Sequence, residues 1–320
     1  MSMDAHHATL RERMTFVTRF RDPGARLRVC GRLRALWRGW GDYVMLCRLI
    51  VSAVLFATGV SAATLERIAE TGVLRVGVRA DAPPLSYLRD GAPSGYSVAL
   101  CDRLAERLAE QMARPPLIVE PVVVTTEDRF TALAEGRIDI LCGAASMTLA
   151  RRAEVDFSIP VYIDGASVLM RSGETVDFSA LANRRIGVRA GTTTERNLIA
   201  TLDATNMVAD VVTVAEHAEG VARLLGRDVD AYFADQSILL FLMVGSGRAE
   251  ELTLARNVLT IEPQALALPL GDAAFRLEVD RALSRMYRAG EIAALFDENF
   301  APATMGDAMK ALTLIAPIPE

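Results

Sequence analysis

Two stretches of the chain repeat one order of elements, and this repetition limits the fold more than any other feature of the sequence. The first runs from the strand-like VLRVGV (Val73 to Val78) to the amphipathic GYSVALCDRLAERLAEQM (Gly95 to Met112). It continues through the apolar PLIVEPVVV (Pro116 to Val124), the helical DRFTALAEG (Asp128 to Gly136) and the strand-like IDILCG (Ile138 to Gly143). The second begins with RIGVRAG (Arg185 to Gly191), TTERNLIATL (Thr193 to Leu202) and VVTV (Val211 to Val214). It ends with HAEGVARLLG (His217 to Gly226) and VDAYFAD (Val229 to Asp235). In the first helix Val98, Cys101, Leu104, Ala105 and Leu108 fall at helical spacing. Short apolar strands alternating with helices require parallel pairing and hence an α/β fold. Two β-α-β-α-β halves, each the size of a small domain, predict two lobes. The extended segments ASVLMRSG (Ala166 to Gly173) and ALALPLG (Ala265 to Gly271) are read as a double hinge between them. Two helices follow to Phe300, and DAMKALTLI in the 301–320 tail predicts a short amphipathic helix packed on a lobe.

Charge separates the N-terminus from the rest. Residues 1–63 carry 10 arginines against 4 acids, whereas the remainder of the 320-residue chain holds 25 basic against 36 acidic residues. The acidic remainder gives no reason to expect nucleic acid as a partner. The run LIVSAVLFATGV (Leu49 to Val60), preceded by Arg48 and followed by Ser61-Ala62-Ala63, has the pattern of a secretory signal peptide. At 12 residues it is shorter than the ~20 needed to span a bilayer. Residues 45–63 therefore read as a signal peptide and residues 1–44 as a misassigned start, the two together forming a leader. This predicts export to the periplasm. Cys30 and Cys47 belong to the leader. Cys101 and Cys142 remain, either as one disulfide or as two free buried thiols. No phosphate-binding GxxxxGK, dinucleotide-binding GxGxxG, HExxH or GxSxG is present, so no cofactor, metal or catalytic residue is assigned.

The segments VLRVGVRADAPPLSY, GYSVALCDRLAE, GRIDILCGAASMTLARRAEVDFSIP, IGVRAGTTTERN, GRDVDAYFADQ and RAGEIAALFDENF, in this order and spacing, resemble the type-3 (family 3) periplasmic solute-binding proteins of amino-acid ABC transporters. The resemblance covers residues 64–300. It implies a two-lobed periplasmic-binding-protein fold (type II, Venus-flytrap) with two parallel-rich sheets joined by a double hinge. Lobe 1 would comprise 64–167 and 265–300, and lobe 2 would comprise 168–264. The implied protein is a monomer that closes over an amino acid and delivers it to a permease in the inner membrane.

The resemblance also implies roles for individual residues. Arg151 would grip the ligand α-carboxylate with a two-pronged guanidinium. Thr192 and Thr193, at a helix N-terminus, would assist it. Asp235 would pair with the α-ammonium, and Ser146 and Gly143 would line the same pocket; Ala144 departs from the Ser or Thr that many relatives carry. Arg79, Thr126, Arg129 and His217 resemble the side-chain pocket of the glutamate/aspartate-binding branch. Two arginines and a histidine would hold positive charge that only an anionic ligand relieves. Against these roles stand structural ones. Arg79 could pair with Asp81 and Arg129 with Glu127, Asp128 or Glu135, while His217 could begin a helix and Asp235 could cap one. Two alternatives remain: a neutral polar amino acid as ligand, or a cyclohexadienyl (prephenate/arogenate) dehydratase-like enzyme on the same scaffold. In the latter, Glu195 would be the first candidate for a general acid.

Overall fold

A computed structural model describes residues 64–174, 178–256 and 258–319. The expected leader, its signal peptide, Cys30 and Cys47 lie outside the described residues. The chain opens with α1 (Thr64–Thr71) and β1 (Val73–Val78). A small three-stranded sheet follows, of β2 (Asp81–Ala82), β3 (Ser86–Arg89) and β4 (Ala92–Ser94). Next come α2 (Tyr96–Gln111), β5 (Ile118–Val123), α3 (Arg129–Ala134), β6 (Ile140–Leu141) and β7 (Asp156–Asp164). The second half contains β8 (Ala166–Arg171), β9 (Arg185–Arg189), α4 (Thr193–Thr205), β10 (Asp210–Val214), α5 (His217–Leu225), β11 (Ala231–Asp235), α6 (Gln236–Gly245) and β12 (Leu252–Leu254). The chain then forms β13 (Glu262–Leu268), α7 (Ala273–Arg288), α8 (Glu291–Phe300) and α9 (Asp307–Ile315).

Two five-stranded sheets result, in the orders β5-β1-β6-β13-β7 and β10-β9-β11-β8-β12. In each, the first three strands are parallel and the fourth, β13 or β8, runs antiparallel to both of its neighbours. Both parallel triplets run in the order second-first-third. That order places a switch point, where neighbouring connections leave on opposite sides, at the carboxyl ends of β1 and β9. The apolar face of α2 (Val98, Cys101, Leu104, Ala105, Leu108) is buried as its spacing predicts. It packs with Leu74 and Val76 of β1 and Phe275, Val279 and Leu283 of α7. The tail forms α9, which buries Met309 and Leu312 in the same core.

The two segments read as hinges are strands. ASVLMRSG supplies β8 of the second sheet, and ALALPLG supplies most of β13 of the first. Buried apolar faces hold both in place. The chain crosses between the two sheets at Gly165 and at residues 258–261. These two crossings are bonded to each other: Leu259 N–H donates to the Ala166 carbonyl (2.7 Å) and Ala166 N–H to Thr260 Oγ1 (2.9 Å). Gly165 is required here, because a Cβ would stand 2.0 Å from the Thr260 carbonyl oxygen.

Cys101 of α2 and Cys142 after β6 form a disulfide, with Cα atoms 6.3 Å apart and 41 residues of separation. Closing a loop of this size removes about 4 kcal/mol of denatured-state entropy. The Cys101→Ala/Cys142→Ala protein is expected to lose roughly that stability in denaturant titration. A loss below ~1 kcal/mol would show that the bond adds little to the core already packed around it.

Candidate functional site

Every sequence-predicted site residue lies at or just beyond the carboxyl end of a strand, or on the turn or helix that follows it. Arg79 follows β1, Thr126 and Arg129 follow β5, and Gly143 and Ser146 follow β6. Thr192 and Thr193 follow β9, His217 follows β10, and Asp235 ends β11. The two sheets present these ends to each other. Arg79, Thr126, Arg129, Ser146, Arg151, Thr192, Thr193, His217 and Asp235 line one cavity with Ala144, Thr194 and Ile238. Gly143 lies under it. A Cβ there would stand 3.1 Å from Arg79 Cγ, so the glycine makes room for the arginine stem. The space left between these groups is about 20 Å³, close to what one water needs. An amino acid therefore enters only when the sheets part.

At one end of the cavity, Arg151 Nη1 donates to the Ser146 carbonyl (2.8 Å). Burial, together with Arg196, pushes the Arg151 pKa down to about 10, against the attraction of Glu262 and Asp235. Ser146 Oγ lies 3.3 Å from Thr193 Oγ1, which donates to Glu262 Oε2 (2.8 Å). Asp235 occupies the residue before α6, but its side chain makes no capping bond. Its carboxylate instead accepts from Gln264 Nε2 (2.9 Å) and Thr194 Oγ1 (3.4 Å). Burial first, then the neighbouring carboxylates of Asp164 and Glu262, push Asp235 up to about 8.

The helix α4 begins with a reciprocal cap. Thr192 Oγ1 accepts from Glu195 N–H (3.1 Å), and Glu195 Oε2 accepts from Gly191 N–H (2.7 Å). This is a variant of the capping box, with the return bond made to the residue before the N-cap, and it occupies Glu195 with backbone rather than with the cavity. Thr192 Oγ1 also donates to the Arg189 carbonyl (2.8 Å), so what Thr192 can offer a ligand is its N–H. Gly191 adopts φ 73°, and a Cβ there would stand 3.2 Å from Thr126 Cβ on the facing sheet. Only glycine meets both demands without strain.

The other end of the cavity corrects the expected charge. His217 is not cationic: complete burial, then Arg79, push its pKa down to about 3 despite Asp81. Its Nδ1 is 2.9 Å from the Tyr232 hydroxyl. The Arg79 guanidinium pairs with Asp81, through Nε to Oδ1 at 2.9 Å and a close Nη2 contact. Arg129 is different. It pairs with none of Glu127, Asp128 or Glu135. Its Nη2 donates to the Gly191 carbonyl across the cleft (3.2 Å), while Nε and Nη1 are buried with no hydrogen-bond partner among the described residues. Burial, then Arg151 and Arg79, push its pKa down to about 8.

Three contributors escaped the sequence reading. The Phe130 ring lies under both the Arg129 and the Arg151 guanidinium carbons, at 4.8 and 5.5 Å. Such contacts contribute about 2 kcal/mol or more each when desolvated. Glu262, at the start of β13, accepts from Thr193 and from Thr260 Oγ1 (2.9 Å). Arg189, at the end of β9, reaches the facing lobe, donating to Asp81 Oδ2 in the small sheet and to Glu127 Oε1 in the turn after β5, both at 3.0 Å. Its signal was present in the sequence. Gly-Val-Arg recurs at the carboxyl ends of β1 and β9, its arginine just past the first strand at Arg79 and closing the second at Arg189, and the two arginines converge on Asp81.

Known proteins share this architecture. The L-glutamate/L-aspartate-binding protein of Pseudomonas aeruginosa is 29% identical over 282 residues, covering 86% of this chain and 92% of that protein. The glutamate/glutamine/aspartate/asparagine-binding protein BztA of Rhodobacter capsulatus is 30% identical, covering 70% of this chain and 66% of its own length. The crystal structure of an ancestral amino-acid-binding protein, a precursor of cyclohexadienyl dehydratase, is 26% identical with a TM-score of 0.65, covering 74% of this chain and 100% of its own. The sequence model of one family matches residues 74–302. With two facing α/β lobes and a polar cavity between their strand ends, the chain belongs to the bacterial extracellular solute-binding proteins, family 3.

Proposed function

We propose that this chain is the exported solute-binding subunit of an ABC importer, that it captures L-glutamate or L-aspartate between its lobes, and that it hands the amino acid to a membrane permease. Arg151 and the N–H groups at the start of α4 receive the α-carboxylate, and Asp235 receives the α-ammonium. Thr126, Arg129, Arg79 and the neutral His217 surround the side chain. The observation that carries the acidic preference is Arg129, a buried guanidinium with two N–H-bearing nitrogens unpartnered. Leaving such a group unsatisfied costs about 1–3 kcal/mol or more, and a ligand carboxylate supplies the missing acceptors and charge together. The Cys101–Cys142 disulfide suits an oxidising compartment, which agrees with the leader's signal-peptide pattern. The expected mature protein begins after Ala62 or Ala63, as mass spectrometry of the exported protein would show.

Calorimetric titration of residues 64–320, stripped of carried-through ligand by reversible unfolding, tests the reading. Micromolar or tighter affinity (about −8 kcal/mol) for glutamate and aspartate, with weak binding of glutamine and arginine, is the expected result. Tight binding of a neutral or basic amino acid would overturn the acidic preference. In the same assay Arg151→Ala should weaken acidic and neutral ligands alike. Unchanged affinity would remove the α-carboxylate role.

A further inference from the structure

The side-chain end of the cavity contains three arginines and two carboxylates. Arg79 and Arg189 both hold Asp81, one on each carboxylate oxygen, and Arg189 also holds Glu127. Side-chain exposure is 3% for Arg79, 6% for Arg189 and 9% for Asp81, so water does little to screen these charges; Glu127, at 56%, is the wet member. Hydrogen bonds from Thr126, Arg189 and Thr125 outweigh burial and bring Glu127 down to about 2, so it is ionised at neutral pH. Asp81 is likewise held below the usual carboxylate range, because Arg79 and Arg189 together outweigh its burial. His217 is neutral. The balance is one positive charge in excess, located on Arg129.

We propose that Arg189 is a specificity-determining residue: by occupying Asp81 and Glu127 from the opposite lobe, it leaves Arg129 uncompensated, and so makes the site prefer a singly negative side chain over its neutral amide. The proposal rests on the acidic-ligand reading. Arg189 acts through the two carboxylates. Without its charge, Arg79 and Arg129 face Asp81 and Glu127 in balance, and an acidic side chain gains nothing over an amide. Without the charge of Asp81, two cations are in excess and the acidic preference sharpens. With both removed, the excess returns to one. Specificity here is a difference in affinities set by unpaired charge, not by added contacts.

The test is the ratio of the Kd values for L-glutamine and L-glutamate in four proteins, with melting curves to establish folding. Arg189→Gln is expected to lower the ratio at least tenfold, Asp81→Asn to raise it, and the double variant to return it to within about threefold of the unsubstituted protein. Arg189→Lys, which keeps the charge, should stay in that same range. Loss of a lobe-to-lobe bond alone would weaken both ligands together and leave the ratio unchanged. A ratio within twofold of the original in Arg189→Gln, with the original still preferring glutamate, overturns the proposal by itself. An original protein with no preference for glutamate removes the acidic reading and this proposal with it.

Discussion

Arg129→Met is expected to weaken glutamate and aspartate binding by at least about 100-fold, while the ligand-free protein becomes more stable. Both effects have one cause. The guanidinium is buried, and two of its three nitrogens lack partners. Truncating one member of a buried charge pair costs about 2–5 kcal/mol in a complex, which corresponds to roughly 30- to several-thousand-fold. In the free protein, the same truncation removes a desolvated cation and leaves an apolar stem of similar length. That should raise stability by about 1–3 kcal/mol, or a few degrees in Tm. Neutral amino acids should lose much less affinity than acidic ones. Affinity and stability moving in opposite directions identify a residue retained for binding at the expense of the fold. If both fall together, Arg129 is a packing element and the side-chain assignment fails.

The second large effect is a proton. Asp235 is pushed up to about 8 by burial and by Asp164 and Glu262. Asp164 is itself raised by burial and by Glu262. Arg151, Gln264 and Thr194 face Asp235 from the other elements and oppose the rise only in part, and the Tyr162 hydroxyl, raised above its usual range, stays neutral. In this closed form the carboxyl therefore keeps a proton at neutral pH. An α-ammonium beside Asp235 favours the ionised form, so binding expels the proton. Affinity should rise with pH, approaching tenfold per unit where Asp235 is protonated free and ionised bound, and level off above about pH 8. Titration in two buffers of different ionisation enthalpy at pH 7 should report release of close to one proton, and Asp235→Asn should abolish it. Zero release in the unsubstituted protein would sink the assignment. Stability carries the opposite sign. Between the ordinary carboxylate pKa of ~4 and about 8, the folded protein holds this proton and the unfolded chain does not. The contribution to stability is therefore complete below that window and is lost as pH rises through it.

Much of this fold was readable because its strands are buried and short. VLRVGV forms β1 over the residues its apolar run marks, and DAMKALTLI forms α9 over the residues its spacing marks. The strand expected over Ile138–Gly143 shrinks to Ile140–Leu141. Asp139 instead turns its carboxylate to the Arg75 N–H (2.7 Å) and guanidinium, a local polar bond that an apolar count does not register. The structure brings the expected residues to one cavity, but their charges depend on contacts that the sequence does not display. His217 lines that cavity, yet its protonation depends first on burial and then on Arg79, 138 residues away in the sequence. The pairing of Arg79 with Asp81 was one of two open readings, and only the arrangement of both lobes selects it. Arg189 escaped because a charged residue ending a buried strand looks like any strand terminus until the facing sheet is in place.

The two crossings are bonded edge to edge, and the close approach of Gly165 to Thr260 leaves no room to slide one past the other. A pair of independent tethers would let the halves bend, twist and shear. Two tethers fastened into one flat strip resist twist and shear, and leave a single soft direction of movement. Closure along that direction is expected to bring Arg129 to the Gly191 carbonyl, Ser146 to Thr193 and Asp81 to Arg189 in one alignment.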